Sequence, residues 1–110
     1  MNYQLHITFT AEHDIMNAAD YIEFSLKNPD AAEHLLDVAT EQINSLSDLP
    51  HRFSLVDDPV LASWKVRFIT VNNYLAFYTI DEEQQLVTIV RFLHQKSNWS
   101  VILQQGFPLI

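Results

Sequence analysis

The chain opens with apolar and polar residues in alternation. Single polar residues separate four apolar ones, Tyr3, Leu5, Ile7 and Phe9. This period of two predicts a half-buried strand over residues 3–9. Apolar residues then recur every three or four positions, which is typical of an amphipathic helix. We predict that this first helix has Thr10 as its N-cap and ends at Asn28-Pro29.

A second helical stripe follows the Asn-Pro pair. Its apolar residues are Ala32, Leu35, Leu36, Ala39, Ile43 and Leu46. Asp30 and Glu33 have the spacing of a capping box, with Asp30 as the N-cap. Because the break between the helices is short, we predict that they pack as an antiparallel hairpin. Pro50 ends the segment, and residues 50–63 form a long connection, either a binding loop or an extended wrap along the domain edge.

Three stretches with β-type composition follow. Residues 64–71, 74–80 and 86–93 are rich in β-branched and aromatic side chains, which favours strands. Asn72-Asn73 predicts a tight turn between the first two, because asparagine tolerates positive φ. A short last helix begins near Ser97 or Asn98, and the apolar tail at 106–110 is expected to be exposed and to dock on the sheet or on a partner.

The predicted order of elements is β-α-α-β-β-β with a short C-terminal helix. An amphipathic hairpin of two helices is suited to covering one face of a four-stranded sheet. We therefore predict a two-layer α+β fold, with a mostly antiparallel sheet and the opposite sheet face left free for function. A chain of 110 residues buries one core, so residues 1–110 are predicted to form a single domain.

The charge of the chain limits its partners. The net charge is −8, which argues against general nucleic-acid binding because phosphate contacts depend on Lys and Arg. Residues 1–50 contain nine acidic residues and one basic residue, Lys27, whereas residues 51–110 contain five of each. The chain has no cysteine, no apolar stretch near the roughly 20 residues that span a bilayer, and no signal-peptide pattern at its start. These features predict a cytoplasmic protein without a membrane partner.

Three residues near the end of the predicted sheet are candidates for chemistry. Arg67 and Arg91 lie within apolar strands, where an arginine must find an anion or an exposed face. His94 follows Arg91 by three residues and is suited to general acid–base work. In the structural alternative His94 is a partly buried polar residue, and each arginine holds the fold together by pairing with one of three carboxylates, Asp57, Asp58 or Glu82. With one glycine and no convergent metal-ligand spacing, the sequence predicts no cofactor and no metal.

This order of elements, together with several stretches of sequence, resembles the RelE/ParE family of toxins from type II toxin–antitoxin systems, which includes plasmid-stabilisation toxins. The stretches are Asn28-Pro29-Asp30-Ala31-Ala32, Leu46 to Pro50, Val66-Arg67, Asn73 to Tyr78, Val87 to His94, and Trp99 with Ile102-Leu103. The resemblance implies one of two activities on the same fold. RelE-like members enter the ribosomal A site and cut mRNA, and ParE-like members poison DNA gyrase.

The first hypothesis is the RelE-like interpretation, in which Arg67 and Arg91 match family arginines and clamp the phosphate, His94 is the general acid or base, and Lys96 assists them. In the ParE-like interpretation the protein binds gyrase without chemistry of its own. A third interpretation is an inactive interaction module. All three imply a cognate antitoxin as partner, and the chain is expected to form a homodimer or a toxin–antitoxin hetero-oligomer. The RelE-like interpretation implies the ribosome with mRNA as target, and the ParE-like interpretation implies gyrase. Because the chain is acidic, we expect the contact segment of the antitoxin to use apolar anchors or to carry Lys and Arg.

Overall fold

The computed structural model describes residues 2–106, which form a four-stranded mixed sheet covered on one face by a helical hairpin. The strands are β1 (Gln4–Ile7), β2 (Arg67–Val71), β3 (Tyr74–Asp81) and β4 (Leu86–His94). The α-helices are α1 (Phe9–Asp20), α2 (Pro29–Ser45), α3 (Pro59–Ser63) and α4 (Trp99–Gly106). A π-helical turn, Tyr21–Ser25, continues α1, and a 3-10 turn, Pro50–Arg52, follows α2.

The strands lie in the order β1-β4-β3-β2, with β1 parallel to β4 and the other pairs antiparallel. The predicted α+β class, the order of elements and the mostly antiparallel sheet are confirmed. The tight turn between β2 and β3 is also confirmed, since Asn72 has a φ of 54°. Of the apolar tail predicted at 106–110, residues 107–110 lie outside the described residues. No helix within residues 2–106 is both long enough and apolar enough to span a membrane.

Both hairpin helices begin at residues other than the predicted caps. Thr8 is the N-cap of α1, because its backbone is extended and its Oγ1 accepts the Ala11 N–H at 3.0 Å. The predicted cap, Thr10, lies inside the helix. Asn28 is the N-cap of α2 and accepts the Ala31 N–H at 3.1 Å, with proline in the first helical position. The capping box predicted at Asp30 is therefore wrong, because a free side-chain acceptor directly before Pro29 is the better cap.

The hairpin packs on one face of the sheet and buries the main core. Its fully buried members come from α1, α2 and the three C-terminal strands, and include Ala11, Leu35, Ala39, Val71, Ala76, Tyr78, Val87 and Ile89. Alanine in both helices lets the helix backbones approach the sheet closely, while the strands contribute the larger side chains. This arrangement is the predicted two-layer packing.

The opposite face of the sheet is not free. A second cluster of buried residues covers part of it, consisting of Val56, Leu61, Val66, Phe77, Val90 and Leu103. These residues bring together the connection after α2, the short helix α3, the sheet and α4. The connection predicted at residues 50–63 as a binding loop or an extended wrap contains a 3-10 turn and α3. β2 begins at Arg67, three residues later than the predicted start at Trp64. Trp64 and Lys65 form the turn that ends α3.

Candidate functional site

Arg67 is held by backbone carbonyl groups. It is the first residue of β2, and its Nη1 donates hydrogen bonds to the carbonyl oxygens of Phe53 at 2.6 Å and His51 at 3.3 Å. Next to it, the buried hydroxyl of Tyr78 donates to the carbonyl of Pro50 at 2.6 Å, and burial raises the pKa of Tyr78 to about 12. Arg67 forms no salt bridge with the three carboxylates expected from the sequence. Its guanidinium instead fixes the connection that follows α2.

Arg91 is paired with a carboxylate from the first helix. Its Nε and Nη2 donate to the two oxygens of Asp14 at 2.7 and 2.9 Å, which is a bidentate pair. The side chains of Arg91 and Asp14 are only 19% and 12% exposed. The partner of Arg91 is therefore Asp14, and not one of the three that the structural alternative predicted, Asp57, Asp58 or Glu82.

The same carboxylate also completes the edge of the sheet. β1 ends where Ile7 lies beside Ile89, so the outer edge of β4 has no strand beyond that point. Helix α1 runs along this edge, and Asp14 accepts the Phe92 N–H at 3.0 Å. A buried backbone N–H requires an acceptor, and Asp14 supplies the one that a neighbouring strand would otherwise provide for Phe92. This contact gives Arg91 a structural role.

His94 is the last residue of β4, and Lys96 lies in the turn that follows it. The Nδ1 of His94 accepts the backbone N–H of Lys96 at 3.0 Å, so a neutral His94 carries its proton on Nε2. The ring of Tyr74 makes an edge contact with His94, with centroids 5.2 Å apart. The ammonium group of Lys96 has no partner within residues 2–106. Of the four predicted residues, these two are the ones that the structure brings together.

The two arginines do not form a joint clamp. Arg67 lies opposite Tyr78 and Arg91 opposite Phe77, and adjacent residues of one strand point to opposite faces of a sheet. The side chains of Arg67 and Arg91 therefore leave the sheet on opposite faces. His94 lies opposite Tyr74, four positions along β3 from Tyr78, which corresponds to about 13 Å from the Arg67 row at about 3.3 Å per residue. The arrangement contains no common point at which a phosphate contacts all four side chains.

Helix α4 is anchored over the second sheet face. Trp99 packs on Phe77 with ring centroids 5.3 Å apart. Asp58 caps α3 and also accepts hydrogen bonds from Ser100 and from Gln104, the latter at 3.0 Å. These donors, led by the Ser100 hydroxyl, lower the pKa of Asp58. The sheet face from which the Arg91 side chain leaves is therefore covered by the second apolar cluster and by α4.

A polar cleft that the sequence analysis did not predict lies at the N-terminal end of β2. It has a volume of about 220 Å³ and is lined by His51, Lys65, Arg67, Ile80 and Glu82. His51 bonds to Glu82, and this bond lowers the pKa of that carboxyl group. These residues come from three separate segments of the chain, so no local motif indicates the cleft. Within residues 2–106 no group of three or more metal-ligating side chains converges.

Comparison with known proteins identifies the class to which this fold and its side chains belong. Residues 5–99 match the family of ParE toxins of type II toxin–antitoxin systems, parDE. The match covers most of the 110 residues. The chain therefore belongs to the ParE toxin family, and the predicted RelE/ParE membership is confirmed. No protein of curated function matches the chain in sequence.

Several solved structures share the fold, among them the following two. A chain of the chromosomal ParDE toxin–antitoxin system from P. aeruginosa is similar with a TM-score of 0.69 and 19% identity, over 84% of this chain and 95% of that one. A chain of the toxin–antitoxin complex RelBE2 from Mycobacterium tuberculosis is similar with a TM-score of 0.59 and 23% identity, over 88% and 95%. The likeness to both is a likeness of fold.

Proposed function

We propose that this ParE-family toxin acts by binding its target, that the target is DNA gyrase, and that the toxin does not cleave RNA. The observation that carries this proposal is the dispersal of the four residues on which RNA cleavage would depend. Cleavage by attack of a 2′-hydroxyl requires cationic and acid–base groups within hydrogen-bond reach of one phosphate. Here the two arginines start from opposite faces and His94 lies about four residue rows from Arg67.

The engagement of each arginine supports the same proposal. The guanidinium of Arg91 is neutralised by Asp14, and one nitrogen of Arg67 donates to two backbone carbonyls. A net charge of −8 also opposes association with a ribosome, whose surface is a polyanion. Inhibition of a protein target needs a complementary surface and no reacting group. We therefore favour the ParE-like activity over the RelE-like one.

A cognate antitoxin completes the proposal. Both structural neighbours come from toxin–antitoxin pairs, and membership of the ParE family supports a partner of the same kind for this chain. Since gyrase acts in the cytoplasm, the proposal places the toxin there as well. The antitoxin is expected to hold the toxin inactive in a hetero-oligomer.

Purified protein tests the activity directly. We expect it to inhibit DNA supercoiling by gyrase and to leave mRNA intact in a translating ribosome mixture. His94→Ala and Arg91→Met serve as matched variants, because a binding toxin keeps its inhibition per folded molecule in both. Intact supercoiling at excess toxin, together with mRNA cuts that disappear in His94→Ala, would instead establish the RelE-like activity.

Ribosome-dependent mRNA cleavage is the second candidate function, and one observation favours it. His94, at the end of β4, lies beside Lys96 in the following turn, with Nδ1 of the histidine occupied by a backbone donor and Nε2 left for proton exchange. An acid–base group beside a cation is the minimum that such a reaction needs. The paired assay above separates the two candidates.

A further inference from the structure

Large apolar residues stand on the solvent-facing side of α1 among polar ones. The opposite side of the helix faces the core through Ala11, Ala18 and Ala19, which are buried. Phe9 and Met16 are nevertheless 83% and 52% exposed. A surface helix ordinarily carries polar residues on the side away from the core. Two apolar sides on one helix indicate a second contact surface.

These exposed residues share one stripe. Phe9 and Met16 are seven residues apart, which is about two helical turns, and His13 between them stacks on Phe9 with an angle of 11° between the rings. The stripe continues to Phe24, which is 68% exposed. We call Phe9, His13, Met16 and Phe24 the outer stripe.

The π-helical turn brings Phe24 onto this stripe. Eight residues separate Met16 from Phe24, one more than two α-helical turns require. The Leu26 N–H donates to the Tyr21 carbonyl at 3.1 Å, a bond that spans five residues and takes up the extra residue. The phase of the helix is thereby corrected by one residue. The outer stripe then runs for about 22 Å, at about 1.5 Å per residue.

Acidic residues lie beside the outer stripe and, at Asp20, on it, four residues from both Met16 and Phe24. Glu12, Asp20 and Glu23 are all exposed on α1 and its π-helical continuation, and the chain has no Lys or Arg before Lys27. A second copy of the chain would bring these carboxylates against their own counterparts, with a charge of −8 on each molecule. A partner with cations beside its apolar residues meets both features of the stripe.

We infer that the outer stripe of α1 is the docking surface for a basic amphipathic helix, with apolar residues facing Phe9, Met16 and Phe24 and with Lys or Arg beside the flanking carboxylates. A partner helix of about 15 residues covers a stripe of this length. The antitoxin is the source of that helix, and this assignment of source rests on the proposed toxin–antitoxin pairing. The surface and its ligand chemistry do not depend on the target of the toxin.

Two synthetic helical peptides of equal length test the inference. One has leucine on one face and lysine on the other, and its counterpart has glutamate in place of lysine. We expect the lysine peptide to bind the full chain at least about tenfold more tightly than the glutamate peptide, with an affinity that falls as salt rises. Equal affinity for the two peptides, or no binding of either, would overturn the inference.

Substitutions locate the binding. Phe24→Ser is expected to weaken binding of the lysine peptide by about tenfold or more, as truncation of an aromatic anchor does. Val101→Ser on α4, where the valine is 42% exposed, is the matched control and should leave binding unchanged. Asp20→Asn with Glu23→Gln should remove the preference for lysine, whereas Asp37→Asn with Glu41→Gln on α2 should not.

Two further measurements separate the possible failures. A concentration-dependent dimer in sedimentation that Phe24→Ser disrupts would make a second copy the occupant and overturn the inference. The gyrase assay on the same samples reports on the target independently. A protein that binds the lysine peptide but does not inhibit gyrase would refute the proposed function alone. A protein that inhibits gyrase but does not bind the lysine peptide would refute the docking surface alone.

Discussion

Removing one partner of the ion pair between Asp14 and Arg91 is expected to destabilise the fold strongly, and Asp14→Ala tests this expectation. The substitution removes both acceptors of the bidentate bond and leaves the Arg91 side chain, only 19% exposed, without an anion. It also leaves the Phe92 N–H without its acceptor at the edge of β4. Two polar groups are therefore left unsatisfied by one truncation.

The size of the effect follows from the burial of the pair. Removing one partner of a buried ion pair costs about 3–5 kcal/mol, and a surface pair is worth about 0–1 kcal/mol. Exposures of 12% and 19% place this pair near the buried limit but still in reach of water. We therefore expect the free energy of unfolding to fall by about 3 kcal/mol, the lower end of the buried range. At about 4 °C per kcal/mol for a domain of this size, Tm falls by about 12 °C.

Urea unfolding followed by circular dichroism measures this loss. Asp37→Ala, which removes an exposed carboxylate of α2, is the matched control and should change the free energy by no more than about 0.5 kcal/mol. Combining Asp14→Ala with Arg91→Met should cost less than the sum of the two single changes, because the double variant leaves no lone charge. A loss below about 1 kcal/mol for Asp14→Ala would refute the assignment of Arg91 to a structural pair.

Other predictions concern Tyr78, Asp58 and His94. Burial raises the pKa of Tyr78 from 10.0 to about 12, so the stability that the neutral phenol provides is present below pH 10 and is lost as the pH rises towards 12. Tyr78→Phe should lower the free energy of unfolding by about 1–2 kcal/mol at neutral pH. The same substitution should reduce the alkaline loss of stability measured by urea titrations. The pKa of Asp58 is lowered from 3.8, so the stability that its carboxylate provides is present above pH 3.8 and is lost as the pH falls through the pKa of the folded state. Acid titration of Trp99 fluorescence should show α4 loosening as Asp58 is protonated, and Asp58→Asn should remove that transition. His94→Ala should leave growth arrest on induction unchanged, and full relief of arrest by a folded variant would contradict the binding mechanism.

Local patterns predicted the elements of this fold well. The period of two and the helical spacings gave the order β-α-α-β-β-β, and the asparagine pair gave the turn at Asn72. The errors were at boundaries, where two local rules compete. The alternation through Phe9 favoured a longer strand, whereas the hydroxyl of Thr8 begins the helix and leaves Phe9 exposed. Tertiary contact, in the form of a Thr8 bond to the Val90 carbonyl at 3.2 Å, decides between them.

The arrangement of the candidate site was not predictable in the same way. The partner of Arg91 lies 77 residues away in sequence, and several nearer carboxylates were equally plausible from charge alone. The face to which Arg91 belongs depends on a bulge in β4, where Phe77 and Tyr78 pair with Arg91 and Ile89 and skip one residue. A shift of one residue reverses the face of a side chain, and the sequence does not mark it. The second apolar cluster likewise depends on α3, which is only five residues long.

Induction of the toxin in a bacterial host distinguishes gyrase binding from RNA cleavage, when RNA is mapped for new 5′ ends and plasmid topology is read in the same cells. We expect growth arrest with altered supercoiling and uncut mRNA, retained in Arg91→Met once the variant is shown to be folded. Arrest with new cuts in translated mRNA and unchanged plasmid topology would contradict this expectation.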